Sequence, residues 1–317
     1  VYASGLQSGD VLRLESVESA SDVYQLDSSV EQDRLVAQIP AQLESGVYNM
    51  SLQRGEERRM IGRVEFVVKQ NPREYAAPKI VAHRGVCNNG EADNSMESFV
   101  SAQNIGGIYG TEFDIFTTSD GVIVLNHDKT INGYTIENST YEQIKNQTLS
   151  NGEKIPTLEA LLDQAKSTPN LRLVVEVKTH LDINNTISCT EKAIELIKAK
   201  GMENCVDFIS FNYQACATAA RLLPNITVGF LAEAANPTLQ QMHADGINNA
   251  DCKWSTFLKN NLYYVDEAHA LGMTVNTWTV NDAASMFDIY QLGIDFLTTD
   301  QCALAKSIYS KRFVEHP

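Results

Sequence analysis

The stretches Ile80-Val81-Ala82-His83-Arg84-Gly85, Gly110-Thr111-Glu112-Phe113-Asp114-Ile115 and Asn126-His127-Asp128 hold the side chains best equipped for chemistry in this sequence. Each places ionisable groups in or just after a short apolar, β-branched run. Together they supply two histidines, an arginine and two carboxylates one residue apart. That is an inventory for acid–base work on a phosphate held by a divalent cation. Glu112 and Asp114 lie two apart on a predicted strand, so the period of two puts both on one face. Two neighbouring carboxylates repel, and they need a proton or a cation between them. One reading is a salt-bridge network with Arg84 and Lys178. The other is a hard-oxygen site for Ca²⁺ or Mg²⁺ rather than zinc, with Glu176, at the end of another run, as third ligand. Of His83 and His127, one can take a proton from an attacking oxygen and the other can give one to a leaving oxygen. Arg84 suits bidentate binding of phosphate. His180, His243, His269 and His316 have no comparable context, although His180 lies near Glu176.

Positioning these groups requires a regular scaffold, and from Lys79 onward the pattern reads strand, helix, strand. Apolar runs fall at 80–82, 111–115, 122–125, 171–177, 205–211, 226–231, 273–278 and 294–298, with a weaker one at 246–250. Between them lie helical stripes. Met96, Phe99 and Val100 share a face behind Asn94 as expected N-cap, with Glu97 at the capping-box position. Leu158, Leu161, Leu162 and Ala165 follow Thr157, and Leu258, Leu262 and Val265 form another stripe. Asp282 caps a helix carrying Met286 and Ile289, which ends at Gly293. About eight β units over roughly 240 residues fit a (β/α)₈ TIM barrel. The runs number one too many, which sets 111–125 apart as a stretch that departs from regular alternation. A doubly wound open sheet is the second architecture, but it would usually show a Gly-rich nucleotide loop, and the sequence has none. In a barrel, His83, Glu112, Asp114, His127, Glu176 and Lys178 all fall at the strand ends that carry the chemistry.

Residues 1–70 read as a small β-sandwich-like domain. Leu35, Ala37 and Ile39 alternate, as do Tyr48, Met50 and Leu52, then Phe66 and Val68. Gly9-Asp10, Asp27-Ser28-Ser29 and Gly55-Glu56-Glu57 mark turns. Residues 71–78, with Pro72 and Pro78 and no periodicity, read as a linker, and 79–317 as the catalytic barrel. The 317 residues carry a net charge of −15, which argues against nucleic acid or an anionic membrane surface as partner. No run reaches the roughly 18 apolar residues that span a bilayer. The six cysteines are scattered, with no Cys-x-x-Cys pair; one disulfide is possible, and Cys87 reads as a small core or loop residue rather than a nucleophile. Sequons begin at Asn49, Asn138, Asn146, Asn184 and Asn225.

The blocks His83-Arg84-Gly85, Asp93-Asn94-Ser95, Glu112-Phe113-Asp114, Ser119-Asp120-Gly121-Val122 and His127-Asp128 resemble the glycerophosphodiester phosphodiesterase family. So do Ile155-Pro156-Thr157-Leu158-Glu159, Glu176-Val177-Lys178, Trp278-Thr279-Val280-Asn281 and Thr299-Asp300, in order and with sensible spacing, from about Lys79 to Ile308. The resemblance implies a TIM barrel of the phosphatidylinositol phospholipase C-like type that hydrolyses small glycerophosphodiesters to sn-glycerol 3-phosphate and an alcohol. It implies His83 and His127 as the acid–base pair and Glu112, Asp114 and Glu176 as ligands of a divalent cation, Ca²⁺ or Mg²⁺. Arg84 and Lys178 would bind phosphate, and Trp278 would line the glycerol or alcohol side or serve as a core aromatic. Asp93 departs from the family's usual Glu before the Asn and is assigned no catalytic role. The brief segment from Lys129 to Lys154, with its Asn132-Gly133 turn, leaves little room for a large lid. Two other functions share these blocks: a phospholipase D-type hydrolase of lysolipids or sphingolipids, for which an exposed apolar rim would speak, and a phosphodiester-binding protein on an inactive barrel. Ser8-Gly9-Asp10-Val11-Leu12, Ile39-Pro40 and Glu44-Ser45-Gly46-Val47-Tyr48 resemble immunoglobulin-like modules of bacterial surface proteins. With a start at Val1, that resemblance gives a periplasmic or cell-surface location as the expectation.

Overall fold

The computed structural model describes residues 6–19, 22–26, 28–31, 34–37, 43, 46–66 and 76–310. The chain divides into two compact units, Val1–Glu74 and Tyr75–Pro317. Among its described residues, the strand pairings of the first are all antiparallel. It contains β1 (Val11–Ser16), β2 (Val23–Gln25), β3 (Ser28–Glu31), β4 (Arg34–Ala37), β5 (Gly46–Arg54) and β6 (Glu57–Phe66). Four of these form a sheet in the order β2-β1-β5-β6, and β3 pairs with β4. Gly55, at φ 59°, makes with Glu56 the tight turn that joins β5 to β6. Alternation sends Leu12, Leu14, Tyr48 and Leu52 into one small core with Leu26, Leu35 and Leu43. Ser28 and Ser29, expected in a turn, instead open β3. Asp27, Ile39, Pro40, Glu44, Ser45, Val68 and linker residues 71–75 lie outside the described residues.

In the second unit β7 (Lys79–Ala82) and β8 (Gly110–Thr117) precede an arm of three short strands, β9 (Ile123–Leu125), β10 (Thr130–Ile131) and β11 (Tyr134–Thr135). Then come β12 (Arg172–Val177), β13 (Val206–Ser210), β14 (Val228–Ala232), β15 (Asn249–Lys253), β16 (Thr274–Trp278) and β17 (Phe296–Thr299). Helix α1 (Met96–Ile105) follows β7, and α2 (Tyr141–Ile144) and α3 (Leu158–Ala165) follow the arm. One helix follows each later strand: α4 (Ile183–Lys200), α5 (Tyr213–Leu222), α6 (Leu239–Ala244), α7 (Tyr263–Ala270), α8 (Ala283–Leu292) and α9 (Cys302–Ser310). β7, β8 and β12 to β17 are parallel neighbours, and the pairings β12–β8 and β17–β7 close them into a ring. Closure excludes the open-sheet alternative. The surplus run is β9, which turns back to pair antiparallel with β8 and stays outside the ring. The weak run near 250 is β15, whose apolar signal is muted by the buried Asn249 and Asp251.

Period two explains the two faces of the barrel wall. Val81, Val174, Ile209, Leu231 and Phe296 cluster inside the ring. Phe113, Ile115, Leu173, Val175 and Phe208 pack outward with helix residues such as Phe99, Leu161 and Ile194. Thr157 and Asp282 cap α3 and α8 as expected, and Gly293 ends α8 in the left-handed conformation at φ 69°. The stripe through Leu262 is not formed. Leu258 sits in a separate 3₁₀ turn, α7 starts only at Tyr263, and its buried face is Tyr264, Val265 and Ala268. Among the described residues, no helix is long and apolar enough to cross a membrane.

Candidate active site

Because Phe113 and Ile115 face the helices, Glu112 and Asp114 must face the barrel interior. β12 lies alongside in parallel register, with Glu176 opposite Asp114. All three carboxyls are buried, and one oxygen of each lies within 4.8 Å of the others. Glu112 Oε1 has no hydrogen-bond partner among the described residues. Asp114 Oδ1 and Glu176 Oε1 meet the Lys178 ammonium at 3.2 and 2.7 Å, without hydrogen-bond alignment. Arg84 adds a contact of 3.5 Å from Nε to Asp114 Oδ2, and its backbone N–H donates to Glu112 Oε2 at 2.9 Å. Both readings of the carboxylates therefore hold in part: the salt bridges form, yet buried oxygens stay unsatisfied. With Arg84 and Lys178 counted, three ionised carboxylates leave one negative charge uncompensated in a buried site, which is costly. A divalent cation would leave one positive charge instead, the complement of a singly charged phosphodiester. Oxygen-only donors of this kind suit Mg²⁺ or Ca²⁺.

The titration behaviour follows from the same crowding. Burial pushes Glu112 well above the usual carboxylate range, with Asp114 and Glu176 adding repulsion. Burial likewise pushes Glu176 up to about 8, helped by Asp114 and opposed by Lys178. Burial works against the charge on Lys178, but Asp114 and Glu176 outweigh it and raise its pKa.

The loop after β7 shapes the near side of the site. Arg84 has φ 55° and Gly85 has φ 90°. A Cβ on Gly85 would overlap the Ser98 side chain, so only glycine lets the loop lie against the start of α1. Arg84 Nη1 donates to Asp93 Oδ2 at 3.1 Å, which gives Asp93 a place in holding the guanidinium. Asn94 is not the N-cap of α1; Ser95 is, accepting from the Ser98 N–H. Asn94 instead turns inward at φ 60°, almost fully buried. Its Nδ2 donates to Asp114 Oδ2 at 2.8 Å and its Oδ1 accepts from the Asp114 N–H at 2.9 Å, so one bond holds the carboxylate and the other the backbone of the same residue.

His83 directly follows β7, and its Nδ1 lies 2.7 Å from Asp300 Oδ1. Asp300 is itself held by Asn281, whose Nδ2 donates to Oδ2 at 2.6 Å and whose Oδ1 accepts from the Asp300 N–H at 2.9 Å. The hydrogen bond from His83 keeps the Asp300 carboxyl below the ordinary range. His127 Nδ1 lies 2.8 Å from Asp128 Oδ1. In each pair the carboxylate accepts a hydrogen bond from Nδ1–H, which fixes the tautomer that leaves Nε2 open to reacting atoms. His127 does not follow a third barrel strand: β9 brings it back toward the mouth, where the Asn126 N–H donates to the Asp114 carbonyl at 3.1 Å. His127, Arg84, Asp93 and Asp128 line a cavity of about 480 Å³ with Asn126 and Asn132. Asn132 and Gly133 form the expected turn, at φ 46° and 88°.

His180 is structural. It is buried, its Nδ1 donates to the Lys178 carbonyl at 3.0 Å, and its Nε2 accepts from the Thr117 N–H at 3.0 Å. The Cys87 thiol is pushed up to about 12, chiefly by burial, which removes the thiolate a nucleophile needs. All six cysteines are free, so the possible disulfide is not formed.

The model of the glycerophosphoryl diester phosphodiesterase family matches residues 83–304, from the first histidine past its aspartate partner. The chain belongs to this family. A solved glycerophosphodiester phosphodiesterase from Parabacteroides distasonis is similar with a TM-score of 0.71 and 35% identity, over 75% of this chain and 99% of that one. A glycerophosphodiester phosphodiesterase from Caldanaerobacter subterraneus subsp. tengcongensis is 25% identical over 70% of this chain and 93% of its own length. An Oleispira antarctica phosphodiesterase, solved in complex with the product sn-glycerol-3-phosphate, shares the fold at TM-score 0.64 and 23% identity, over 75% of this chain and 97% of that one. The residues matched to the family model exclude the N-terminal sheet unit.

In this phosphodiesterase the far wall of the mouth is aromatic. Trp278 packs over the interior cluster, and its Nε1 donates to the Asp251 carbonyl at 3.2 Å. Phe211 meets it edge to face at 5.5 Å and 87°, and Lys178 Nζ sits 5.9 Å from the Phe211 ring. Phe211, Asn94, Asn281 and Asp300 are the functional neighbours that residue types alone do not single out. The signals for Asp300 are its place at the end of the last barrel strand and the Thr299-Asp300 block; Asn94 and Asn281 likewise lie in blocks that carry the resemblance. Replacing Asp300 by Asn should lower kcat roughly 10²- to 10⁴-fold, since a wrong tautomer costs nearly as much as the acid or base itself. The substitution presents a donor to Nδ1 and so disturbs the tautomer. A displaced limb of the pH–rate profile with KM and cation affinity unchanged would mark this positioning role; an unaltered profile would remove it.

Proposed function

We propose that this chain hydrolyses glycerophosphodiesters to sn-glycerol 3-phosphate and an alcohol, using Ca²⁺ or Mg²⁺ held by Glu112, Asp114 and Glu176. One observation carries the reading: buried carboxylates with unsatisfied oxygens lie at the end of the same barrel that presents two aspartate-paired histidines. The product bound by the Oleispira antarctica relative supports the ligand class. The cation, when bound, supplies Lewis-acid polarisation of the phosphoryl oxygens and offsets charge as it builds.

The chain's own residues do the rest. Arg84 and Lys178 bind the non-bridging oxygens, since both ammonium and guanidinium already point into the carboxylate cluster. One histidine deprotonates the attacking oxygen, from water or the glycerol 2-hydroxyl, and the other protonates the departing alkoxide. Asp300 and Asp128 hold both rings with Nε2 free for these transfers. Trp278 and Phe211 flank the carbon skeleton of the substrate.

Release of glycerol 3-phosphate from a panel of headgroup diesters tests the reading, with Ca²⁺, with Mg²⁺ and after exhaustive chelation. The expected result is cation-dependent release. Full turnover after chelation would remove the metal from the mechanism, and no release from any diester with either cation would overturn the activity.

A further inference from the structure

We infer that Lys253 sets the charge selectivity of the mouth: its ammonium occupies a seat made by Glu233 and the face of Trp278, and so bars alcohols that carry an ammonium of their own. The inference rests on the phosphodiesterase reading above and assigns a residue that decides which alcohol the reaction accepts. Period two fixes where these side chains point. Ala250 and Cys252 pack outward with the helices, so Asp251 and Lys253 face the barrel interior. Leu231 belongs to the interior cluster, Trp278 packs on it, and Glu233 follows Leu231 by two residues. Parallel register then gathers the three at neighbouring strand ends, with Ala232 opposite Cys252 and Lys253 opposite Trp278.

The side chains meet as that placement requires. Lys253 Nζ donates to Glu233 Oε1 at 2.6 Å and lies 5.5 Å from the centre of the Trp278 ring. A carboxylate beside an aromatic face is a setting that binds alkylammonium ions, and here the chain's own lysine fills it. Printed contact by contact, the seat is joined to the carboxylate cluster. Trp278 meets Phe211 edge to face, Phe211 lies beside Lys178, and Lys178 reaches Asp114 and Glu176. The cavity beside His127 is lined by Asn126, Asn132, Asp93 and Asp128, whose donors and acceptors suit the hydroxyls of glycerol. That assigns the aromatic wall to the alcohol.

The side chains of Lys253 and Glu233 are 33% and 52% exposed, so a substrate group can reach both. An uncharged alcohol passes over Trp278 and leaves the ion pair intact. An ammonium alcohol must displace Lys253 from Glu233. Such an exposed pair gives way at small cost, but the lysine keeps its charge and stays tethered beside the newcomer. Two like charges that close, at a partly buried mouth, repel far more than in water. Lys253 therefore acts as a resident competitor for the seat.

The test uses two glycerophosphodiesters that differ in charge alone. One carries choline; the other carries neohexyl alcohol, in which carbon replaces the quaternary nitrogen. Release of glycerol 3-phosphate is followed with the same cation. Wild type should favour the uncharged isostere by roughly tenfold or more in kcat/KM. Lys253→Met keeps the stem and removes the charge. It should raise kcat/KM for the choline diester by roughly tenfold, with the isostere turned over as in wild type. Lys253→Arg keeps the charge and should keep the wild-type ratio. Adding Glu233→Gln to Lys253→Met should remove most of what choline gained, because the seat loses its carboxylate. Equal kcat/KM for the two diesters in wild type, or one ratio shared by wild type and Lys253→Met, would overturn the inference. An equal gain for both diesters in Lys253→Met would also overturn it, by making the lysine an obstacle of bulk rather than of charge. No glycerol 3-phosphate from either diester in wild type would overturn the phosphodiesterase reading, and the inference with it.

Discussion

Alanine in place of His83 or of His127 should lower kcat/KM by roughly 10²–10⁴-fold, the usual worth of one general acid or base. Both rings sit at the rim, with side chains 23% and 40% exposed, so neither substitution opens a core cavity and thermal stability should stay near wild type. The cation ligands are untouched, and cation affinity should persist. The double variant should be little slower than the slower single one, because groups that act on one proton-transfer sequence are not additive. The two histidines are distinguishable by leaving group. An aryl diester, whose departing phenolate needs no proton, should rescue the variant that lost the acid and leave the other slow. His127, at the end of a short hairpin strand, has the more exposed ring and partner. A folded single variant with near wild-type turnover of alkyl diesters would exclude that histidine from the pair.

The parts of this site that sequence reveals are those with strong local signatures. A Glu-x-Asp pair on a strand fixes its own facing, and the neighbouring run of β12 carries Glu176 at its end. Capping at Thr157 and Asp282 and the stop at Gly293 are local chemistry as well. Partnerships across distant segments are not local. His83 and Asp300 are 217 residues apart and meet only because β17 closes on β7. Asn94 shows why a good local rule fails: it is a competent N-cap, but burial beside Asp114 gives its amide two stronger bonds, and the next residue takes the cap. The surplus in the 111–125 stretch is legible as a count, but which run is surplus is not, because three apolar residues look alike in a ring and in a hairpin; the antiparallel register of β9 with β8 decides it.

Removing one carboxylate, as in Glu176→Gln or Asp114→Asn, should abolish tight cation binding and lower turnover by roughly 10²–10³-fold or more, the cost of losing charge stabilisation at a phosphoryl centre. The pH dependence gives a separate handle. Glu176 titrates near 8 in the cation-free protein against 4.5 for the ordinary side chain, because burial and then Asp114 disfavour its anion. Between those values the folded state binds more protons than the unfolded one, so cation-free stability should fall as pH rises from about 4.5 to about 8. The cation binds the deprotonated form. Its binding should therefore release protons at pH 7, and its affinity should climb by about tenfold per pH unit for each proton released before levelling above pH 8. Melting temperatures with and without cation should diverge most at the alkaline end, where the uncompensated charge is greatest. In Glu176→Gln the cation-free protein should lose much of its alkaline destabilisation, while the cation should no longer raise its melting temperature. Calorimetric titrations in buffers of different ionisation enthalpy count the protons directly. Cation binding without proton release at pH 7, or a melting temperature that rises between pH 5 and 8 without cation, would break the link between these buried carboxylates and the metal.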